Sequence, residues 1–219
     1  MTKLRANVPK QERSRLTLHR LLSAAEALLE HGGLDAATVP AIAEAAGVSV
    51  GVIYRRFPNK DALLRAVYER FFVTTAEQNV LRLQSVNAAG AMRVPLPRLA
   101  RGIVKGMIEG YRRRRGLLRA LTLYARTHPD ASFRRSAQKM NRATIAALVV
   151  LFESYRDQIR HPDPEIAIEF ALFTLASTLH NILIEKEPFI ALHVPENLED
   201  ELVRMLFGYL GINESSPTR

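Results

Sequence analysis

The sequence of 219 residues predicts an all-α protein with a small three-helix N-terminal domain and a larger helical C-terminal domain. Three observations predict this fold class. Apolar residues recur at helical spacing, no segment shows the strict apolar–polar alternation of a strand, and Gly, Pro and Asn interrupt the pattern at intervals that suit helices. The hydrophobic fraction of 47% and the charged fraction of 24% are typical of a globular chain with a substantial core.

The first predicted helix spans residues 13–31, where Leu and Ala recur at the spacing of one helix face. Gly32 and Gly33 follow directly. Glycine is common just beyond a helix C-terminus because it adopts a left-handed backbone without steric cost. We therefore expect one amphipathic helix that ends at this pair, preceded by a basic N-terminal arm.

Two short helices follow at close spacing. Thr38 can cap a helix over residues 39–46, and Ser49 can cap a second over residues 50–56. The connection between them is about three residues long and contains Gly47, where a tight turn calls for a positive backbone angle. Two short helices joined in this way predict a helix-turn-helix.

The remainder of the chain predicts a second helical domain. Asn59 can cap a long helix, and residues 86–97 resemble a linker because they contain Gly and Pro without periodicity. We place an N-terminal arm and helix-turn-helix domain at residues 1–58 and the C-terminal domain at residues 59–219. The helices predicted in the C-terminal domain span residues 60–84, 98–113, 116–127, 131–160, 164–186 and 197–211.

The nearly continuous apolar stretch at residues 166–184 predicts an interface between subunits. Its polar residues, which include Glu169 and His180, argue against a membrane span. A soluble helix that is apolar on most sides needs cover from its own core and from a neighbour, and the last helix carries a similarly broad stripe. We expect a homodimer, with burial inside a monomer as the alternative. The predicted interface residues are Phe170, Thr174, Ser177, Leu198, Leu202, Met205, Leu206 and Tyr209.

The net charge of +9 indicates a polyanionic partner, and its distribution is uneven. Residues 1–80 carry 11 basic and 8 acidic side chains, residues 81–160 carry 17 and 4, and residues 161–219 carry 3 and 10. The four consecutive arginines at 112–115 could attract DNA, bind an anionic effector or solvate a turn. Charge alone does not separate nucleic acid from an anionic membrane or another polyanion.

Catalysis is disfavoured by the residue inventory. The chain has no Cys, its six His are scattered without metal-ligand spacing, and no Gly-rich phosphate loop is present. We therefore expect no catalytic residues, no metal and no cofactor. The N-terminus lacks the apolar run of a signal peptide, so we expect a cytoplasmic protein without a membrane partner.

The helix-turn-helix has a clear division between inward and outward positions. Apolar residues that include Ile42, Ala46 and Ile53 would hold its two helices on the first helix. The residues around Ser49 and Arg55 are then free to face outward, and the major groove of DNA admits one α-helix. The sequence therefore indicates a DNA-binding protein.

The stretch TVPAIAEAAGVSVGVIYRRFPNK at residues 38–60 resembles the TetR family of transcriptional regulators. The resemblance covers residues 13–65 and implies a homodimer that binds a near-palindromic operator. It also implies a repressor that a small effector in the C-terminal domain releases, with an activator or a corepressor-dependent regulator as the alternative. The residues that carry the match are Thr38, Val39, Ile42, Ala43, Ala46, Gly47, Val48, Ser49, Gly51, Ile53, Tyr54, Phe57, Lys60 and Leu63.

The resemblance also implies which residues contact DNA. Those at phosphate-contacting positions are Thr38, Ser49, Tyr54 and Lys60, and those at base-facing positions are Val50, Gly51, Val52 and Arg55. The two valines suit contacts with thymine methyl groups, and Arg55 or Arg56 could reach guanine.

The effector of such a regulator needs a largely apolar pocket with a few polar groups. We expect a hydrophobic or amphipathic ligand, with an anion that recruits arginines of the basic middle region as the alternative. The candidate pocket residues are Met107, Tyr111, Tyr124, Phe133, Met140, Thr144, Phe152, Phe170, Phe173, Thr174 and His180.

Overall fold

The structure is a computed structural model that describes residues 10–88, 94–185 and 196–213. These residues form helices and no strand, which confirms the predicted all-α fold. Most of the predicted N-terminal arm and part of the predicted linker lie outside the described residues. The helices are α1 (Lys10–Ala36), α2 (Val39–Ala45), α3 (Val50–Tyr54), α4 (Lys60–Ala88), α5 (Leu96–Arg113), α6 (Arg115–Thr127), α7 (Ala131–Glu153), α8 (Pro164–Leu179) and α9 (Leu198–Leu210).

The chain forms two compact units, the first ending at Arg70 and the second beginning at Phe71, within α4. In the first unit, α1, α2, α3 and the start of α4 share a core in which Leu21, Ile42 and Leu63 are fully buried. The Arg70 guanidinium forms an ion pair of 2.7 Å with Glu26, which joins α4 to α1. The functional boundary placed after residue 58 stays a prediction.

Helix α1 breaks at the glycine pair where the sequence predicts its end. Gly33 adopts φ 65° and ψ −158°, which is not a helical conformation, so the helix that begins at Lys10 ends at this glycine. A short helical segment that the sequence did not predict follows and ends at Ala36.

The second unit has a core built mainly from α5, α7, α8 and α9. Its fully buried members include Val104, Phe152 and Leu175. The hydroxyl of Tyr111 donates to the Ala176 carbonyl of α8 at 3.4 Å. Burial raises the pKa of Tyr111 above its ordinary value, so the hydroxyl stays protonated and remains a donor.

The predicted helix over 131–160 is wrong at its C-terminal end. Helix α7 stops at Glu153, and a single 3-10 turn over Arg156–Gln158 follows. Tyr155 is buried and its hydroxyl donates to the Val94 carbonyl at 2.8 Å. The Arg160 N–H donates to the Leu210 carbonyl at 3.0 Å. These long-range bonds draw the chain out of the helix.

The predicted helix over 164–186 also changes character. Helix α8 is regular to Leu179, and a π-helical turn covers His180–Ile184. The Arg119 guanidinium of α6 donates to the Ile184 carbonyl at 2.6 Å and so satisfies the end of this turn. Residue 186 lies outside the described residues. The other predicted helices begin and end within four residues of the observed ones.

Within the described residues, one helical stretch is long and apolar enough to cross a membrane. It spans Pro164–Ile184 with a mean hydropathy of 1.5, and 33% of it is buried inside the chain. Core helices of soluble proteins can have the same length and hydropathy.

Candidate nucleic-acid interface

The connection between α2 and α3 is held by local backbone hydrogen bonds. The Thr38 side chain caps α2 by accepting from the Ala41 N–H at 3.3 Å. In the turn, the Gly47 N–H donates to the Glu44 carbonyl and the Val48 N–H to the Ala43 carbonyl, both at 3.0 Å. Gly47 has φ 64°, so a side chain there would strain the backbone. Sequence and geometry agree on a helix-turn-helix.

The inward face of the motif packs as its spacing predicts. Ile42, Ala43 and Ala46 of α2 are buried, and so is Ile53 of α3. Phe57 is half-buried beyond the end of α3. One face of α3 is thus fixed on the core of the first unit, which orients its other face toward solvent.

The outward face of α3 is exposed. Ser49, Val50, Gly51 and Arg55 are exposed and Val52 is half-buried, whereas Tyr54 keeps 54% of its surface accessible. A Cβ at Gly51 would meet no atom closer than the Ser49 hydroxyl at 3.9 Å, so the surface at this position is open. Most of the predicted base-facing and phosphate-facing side chains are therefore accessible, and we call them the α3 surface (Thr38, residues 49–52, Tyr54 and Arg55).

Arg56 and Lys60, also predicted to contact DNA, bind the first helix in this structure. The Arg56 guanidinium donates to both the carbonyl and the hydroxyl of Ser14 at 2.9 Å. The Lys60 ammonium donates to the Leu34 carbonyl at 3.1 Å. The sequence pattern does not indicate these acceptors, because they lie 42 and 26 residues away. Lysine has three donor hydrogens, so Lys60 retains capacity for a phosphate.

The predicted dimer residues divide into two groups. Leu198, Leu202 and Leu206 are buried in the core of their own chain. The remainder are exposed or half-buried on α8 and α9, together with two apolar residues that the prediction did not include, Ile166 and Phe173. We call the exposed apolar group the α8–α9 surface, and it consists of Ile166, Phe170, Phe173, Met205 and Tyr209. The rings of Phe170 and Tyr209 lie 5.6 Å apart.

The predicted effector residues do not meet in one cavity of the described structure. Tyr124 and Phe133 are buried around His128, with ring centroids 5.2 and 4.6 Å from that imidazole. The others are distributed over the second unit: Phe152 is in the core, Met107 and Tyr111 pack on it, Phe170 and Phe173 are exposed, and Thr144, Thr174 and His180 are half-buried.

Met140 alone among the predicted effector residues lines the groove that the structure describes between α4 and α7. The groove holds about 520 Å³, within the roughly 300–1,000 Å³ of small-molecule sites. The Asn79 amide of α4 donates to the Thr144 carbonyl of α7 and joins the two helices. The lining residues are Phe72, Val73, Ala76, Glu77, Val80, Leu81, Gln84, Met140 and Ala143.

The residues of α4 that line this groove were not predicted from the sequence. The apolar residues of α4 recur at helical spacing, which is equally typical of a packed core helix. The one feature of the sequence that could have indicated the groove is Glu77, whose carboxylate interrupts the apolar stripe of α4.

Known proteins resemble the chain in both of its parts. The family model for bacterial regulatory proteins of the tetR family matches residues 21–67. The model for the tetracyclin repressor-like C-terminal domain matches residues 95–210, more than half of the chain. The HTH-type transcriptional repressor KstR of Rhodococcus jostii (strain RHA1) is 41% identical over 69 residues, which are 32% of this chain and 30% of that repressor.

Solved structures share the fold. The fatty acid degradation regulator FadR from Bacillus halodurans has a TM-score of 0.64 at 17% identity, covering 90% of this chain and 97% of that chain. FadR from Bacillus subtilis, in complex with stearoyl-CoA, has a TM-score of 0.61 at 15% identity, covering 86% and 96%. A TetR transcriptional regulator from Rhodococcus sp. RHA1 has a TM-score of 0.54 at 22% identity, covering 93% and 100%. With both family models matched, the chain belongs to the tetR family of bacterial transcriptional regulators.

Proposed function

We propose that this regulator is a homodimeric repressor that binds a near-palindromic operator through the α3 surface and leaves it when a small effector binds the second unit. The observation that carries the proposal is the α3 surface itself. The residues of α3 that face the core are buried and those that face solvent are exposed, and the Arg55 side chain makes no ion pair or hydrogen bond with another described residue. A short helix presented in this way suits the major groove.

The proposed contacts fall into two classes. Thr38, Ser49, Tyr54 and Lys60 bind phosphates, which fixes position and carries no sequence information. Val50, Gly51, Val52 and Arg55 face base edges, where arginine pairs with guanine and valine packs on a thymine methyl group. Arg56 contributes by holding the end of α3 on α1 through Ser14, and reaches guanine only if that bond is exchanged.

A tethered cleavage experiment tests this surface. The chain has no Cys, so a single introduced Cys is the one attachment point for an iron chelate that cuts nearby DNA. We expect a reagent on Val50→Cys to cut duplex DNA at defined positions. A reagent on Gln138→Cys, an exposed residue of α7, is the control and should not. Equal cutting from both positions would contradict binding through α3.

The α8–α9 surface supports the proposed dimer. Phe170 and Phe173 retain 53% and 59% of their surface in the single chain, and Ile166, Met205 and Tyr209 are exposed beside them. A contiguous apolar surface of this kind is typical of a subunit interface. A second copy related by a two-fold axis would bring α8 and α9 of both chains into a four-helix arrangement.

Charge substitution tests the dimer. Phe170→Glu places a carboxylate in the proposed interface, where burial without a partner is costly. We expect a dimer for the native chain and a monomer for the variant by light scattering. DNA affinity for a two-site duplex should fall at least about tenfold because the linkage of two sites is lost. Gln138→Glu adds the same charge on exposed α7 and should remain dimeric. A dimeric F170E protein would contradict this interface.

The groove between α4 and α7 supports the proposed effector site. Helix α4 is continuous from Lys60 to Ala88, so the helix that carries a proposed phosphate contact also forms the groove wall. If α4 can adopt two placements, a ligand that binds one of them more tightly shifts the protein toward it and so changes DNA binding. The apolar lining favours a hydrophobic or amphipathic effector. The stearoyl-CoA complex of Bacillus subtilis FadR supports the alternative of an acyl thioester anion.

Titrating the ligand into the protein–operator complex distinguishes an effector that releases DNA from one that is required for DNA binding. Under the proposal, the ligand that occupies the groove weakens binding to the operator. Tighter DNA binding with that ligand would instead support the corepressor-dependent alternative, and unchanged binding would contradict the effector role.

A further inference from the structure

We infer that the groove between α4 and α7 selects a lipophilic cation whose charge is flanked by apolar groups on both sides. The inference rests on the proposed effector role of this groove and adds the chemical class of its ligand.

The lining of the groove is apolar apart from two residues of α4. Among the described lining residues, Glu77 alone carries a charge and Gln84 adds an amide. Leu81 keeps 63% of its surface accessible, and Val73 and Val80 are also exposed, so the rest of the described chain does not cover this stripe. The wall runs from residue 72 to residue 84, which is ~18 Å of α-helix.

Glu77 lies midway along this wall. Val73 precedes it by one helical turn and Leu81 follows it by one turn, and both line the groove. A ligand that fills the groove therefore meets apolar surface on both sides of the carboxylate. This geometry suits a charge in the centre of the ligand better than a charge at one end.

The carboxylate of Glu77 has no cation beside it among the described residues. No Lys or Arg lies within four positions of it in the sequence. Arg70, two residues before the groove wall, is paired with Glu26, and Arg142 of α7 is paired with Glu169. Lys139 of α7 is exposed and does not line the groove. Glu77 is exposed, so a ligand that covers its carboxylate removes water from it, and a positive charge on the ligand offsets this cost.

The overall charge of the protein favours anionic ligands over cationic ones. The net charge is +9, and residues 81–160 alone carry 17 basic against 4 acidic side chains. Long-range attraction therefore favours anions. A preference for a cation would be a local property of the groove and not a consequence of overall charge.

Two ions of nearly equal shape and opposite charge test the inference. Tetraphenylphosphonium and tetraphenylborate are titrated into the full-length protein by isothermal titration calorimetry. We expect the phosphonium to bind about fivefold more tightly than the borate. Glu77→Gln should remove or reverse this preference. Glu109→Gln removes the same charge from an exposed position of α5 outside the groove and should retain it.

A second variant shows whether the ions occupy the groove. Ala143 lines the groove on an exposed position of α7, so Ala143→Trp fills the groove without disturbing the core. This variant should weaken the binding of both ions. The inference is overturned if the native protein prefers the borate or binds neither ion, if Glu77→Gln leaves the preference unchanged, or if Ala143→Trp leaves binding unchanged.

DNA binding is measured separately, without either ion. Failure to bind DNA contradicts the proposed function and leaves the ion preference as an independent result. Cation-selective binding that does not weaken the DNA complex supports the ligand class and contradicts the release step.

Discussion

The helix-turn-helix and the α4–α7 groove differ in how the chain assembles them. The helix-turn-helix is one run of residues, 38–60, held by short-range backbone bonds across Gly47. The groove comes from two helices that are distant in sequence, and it exists where their side chains fail to fill the space between them. A binding surface formed by consecutive residues can therefore be recognised in the sequence, whereas a ligand site between two helices depends on how distant parts of the chain pack.

The largest expected effect separates the two faces of α3. Ile53→Ala removes a side chain with 1% of its surface exposed and should lower the free energy of unfolding by about 2–4 kcal/mol. Val50→Ala, on the exposed face of the same helix, should change it by less than about 0.5 kcal/mol. Denaturant titration of both variants measures the difference. Equal losses would mean that α3 has no free face.

The next effect concerns base recognition. Arg55 is exposed on the α3 surface, and Arg55→Ala should cost about 1–3 kcal/mol of operator affinity and relax the preference at one base-pair position. Arg113→Ala, at an exposed arginine of α5, controls for the loss of one positive charge and should leave base preference unchanged. Competition binding with single-base operator variants measures both. If the Arg55→Ala protein keeps the base preference of the native protein, Arg55 does not recognise a base.

Replacing glycine by alanine should change the stability of the protein in opposite directions in the turn and inside a regular helix. Gly47→Ala forces a side chain to adopt φ 64° and should destabilise the protein by about 1 kcal/mol. Gly102→Ala lies inside α5 with open space around its Cβ, so it should stabilise the protein by about 0.5–1 kcal/mol. Thermal unfolding of the two variants measures the signs. A stabilised Gly47→Ala protein would contradict the left-handed backbone conformation of Gly47 in the turn.

The smallest expected effect is on phosphate contact. Lys60→Gln should weaken DNA binding to a similar degree on all sequences and reduce the slope of log affinity against log salt by about 1. Lys105→Gln, at an exposed position of α5, is the charge-matched control. Because Lys60 also donates to the Leu34 carbonyl, unfolding of the variant is measured in parallel. An unchanged salt slope in a stable variant would remove Lys60 from the interface.

The fold class and the inward face of the motif were predictable because they depend on spacing alone. Ile42 and Ile53 repeat at helical intervals around a glycine turn, and both are buried as expected. The tetR family membership follows from the same residues, which the matched family models confirm. The roles of individual residues on the α3 surface stay predictions.

The helix ends that were wrong depend on contacts that sequence spacing does not record. Helix α7 stops short because Tyr155 is anchored on Val94, 61 residues away. The π-helical turn after α8 is held by Arg119, 65 residues away. The groove was missed for a related reason, since an apolar helix stripe has the same pattern whether a partner helix covers it or leaves it open.

The most direct test of the central claim is selection of duplexes from a random DNA library by the full-length protein at physiological salt, where nonspecific phosphate attraction is damped. We expect a near-palindromic consensus, because a two-fold dimer presents two copies of α3 to the duplex. Loss of that consensus in Phe170→Glu, with a single half-site remaining, would support the proposed dimer. No enrichment by the folded native protein, with or without the groove ligand, would contradict sequence-specific recognition through α3.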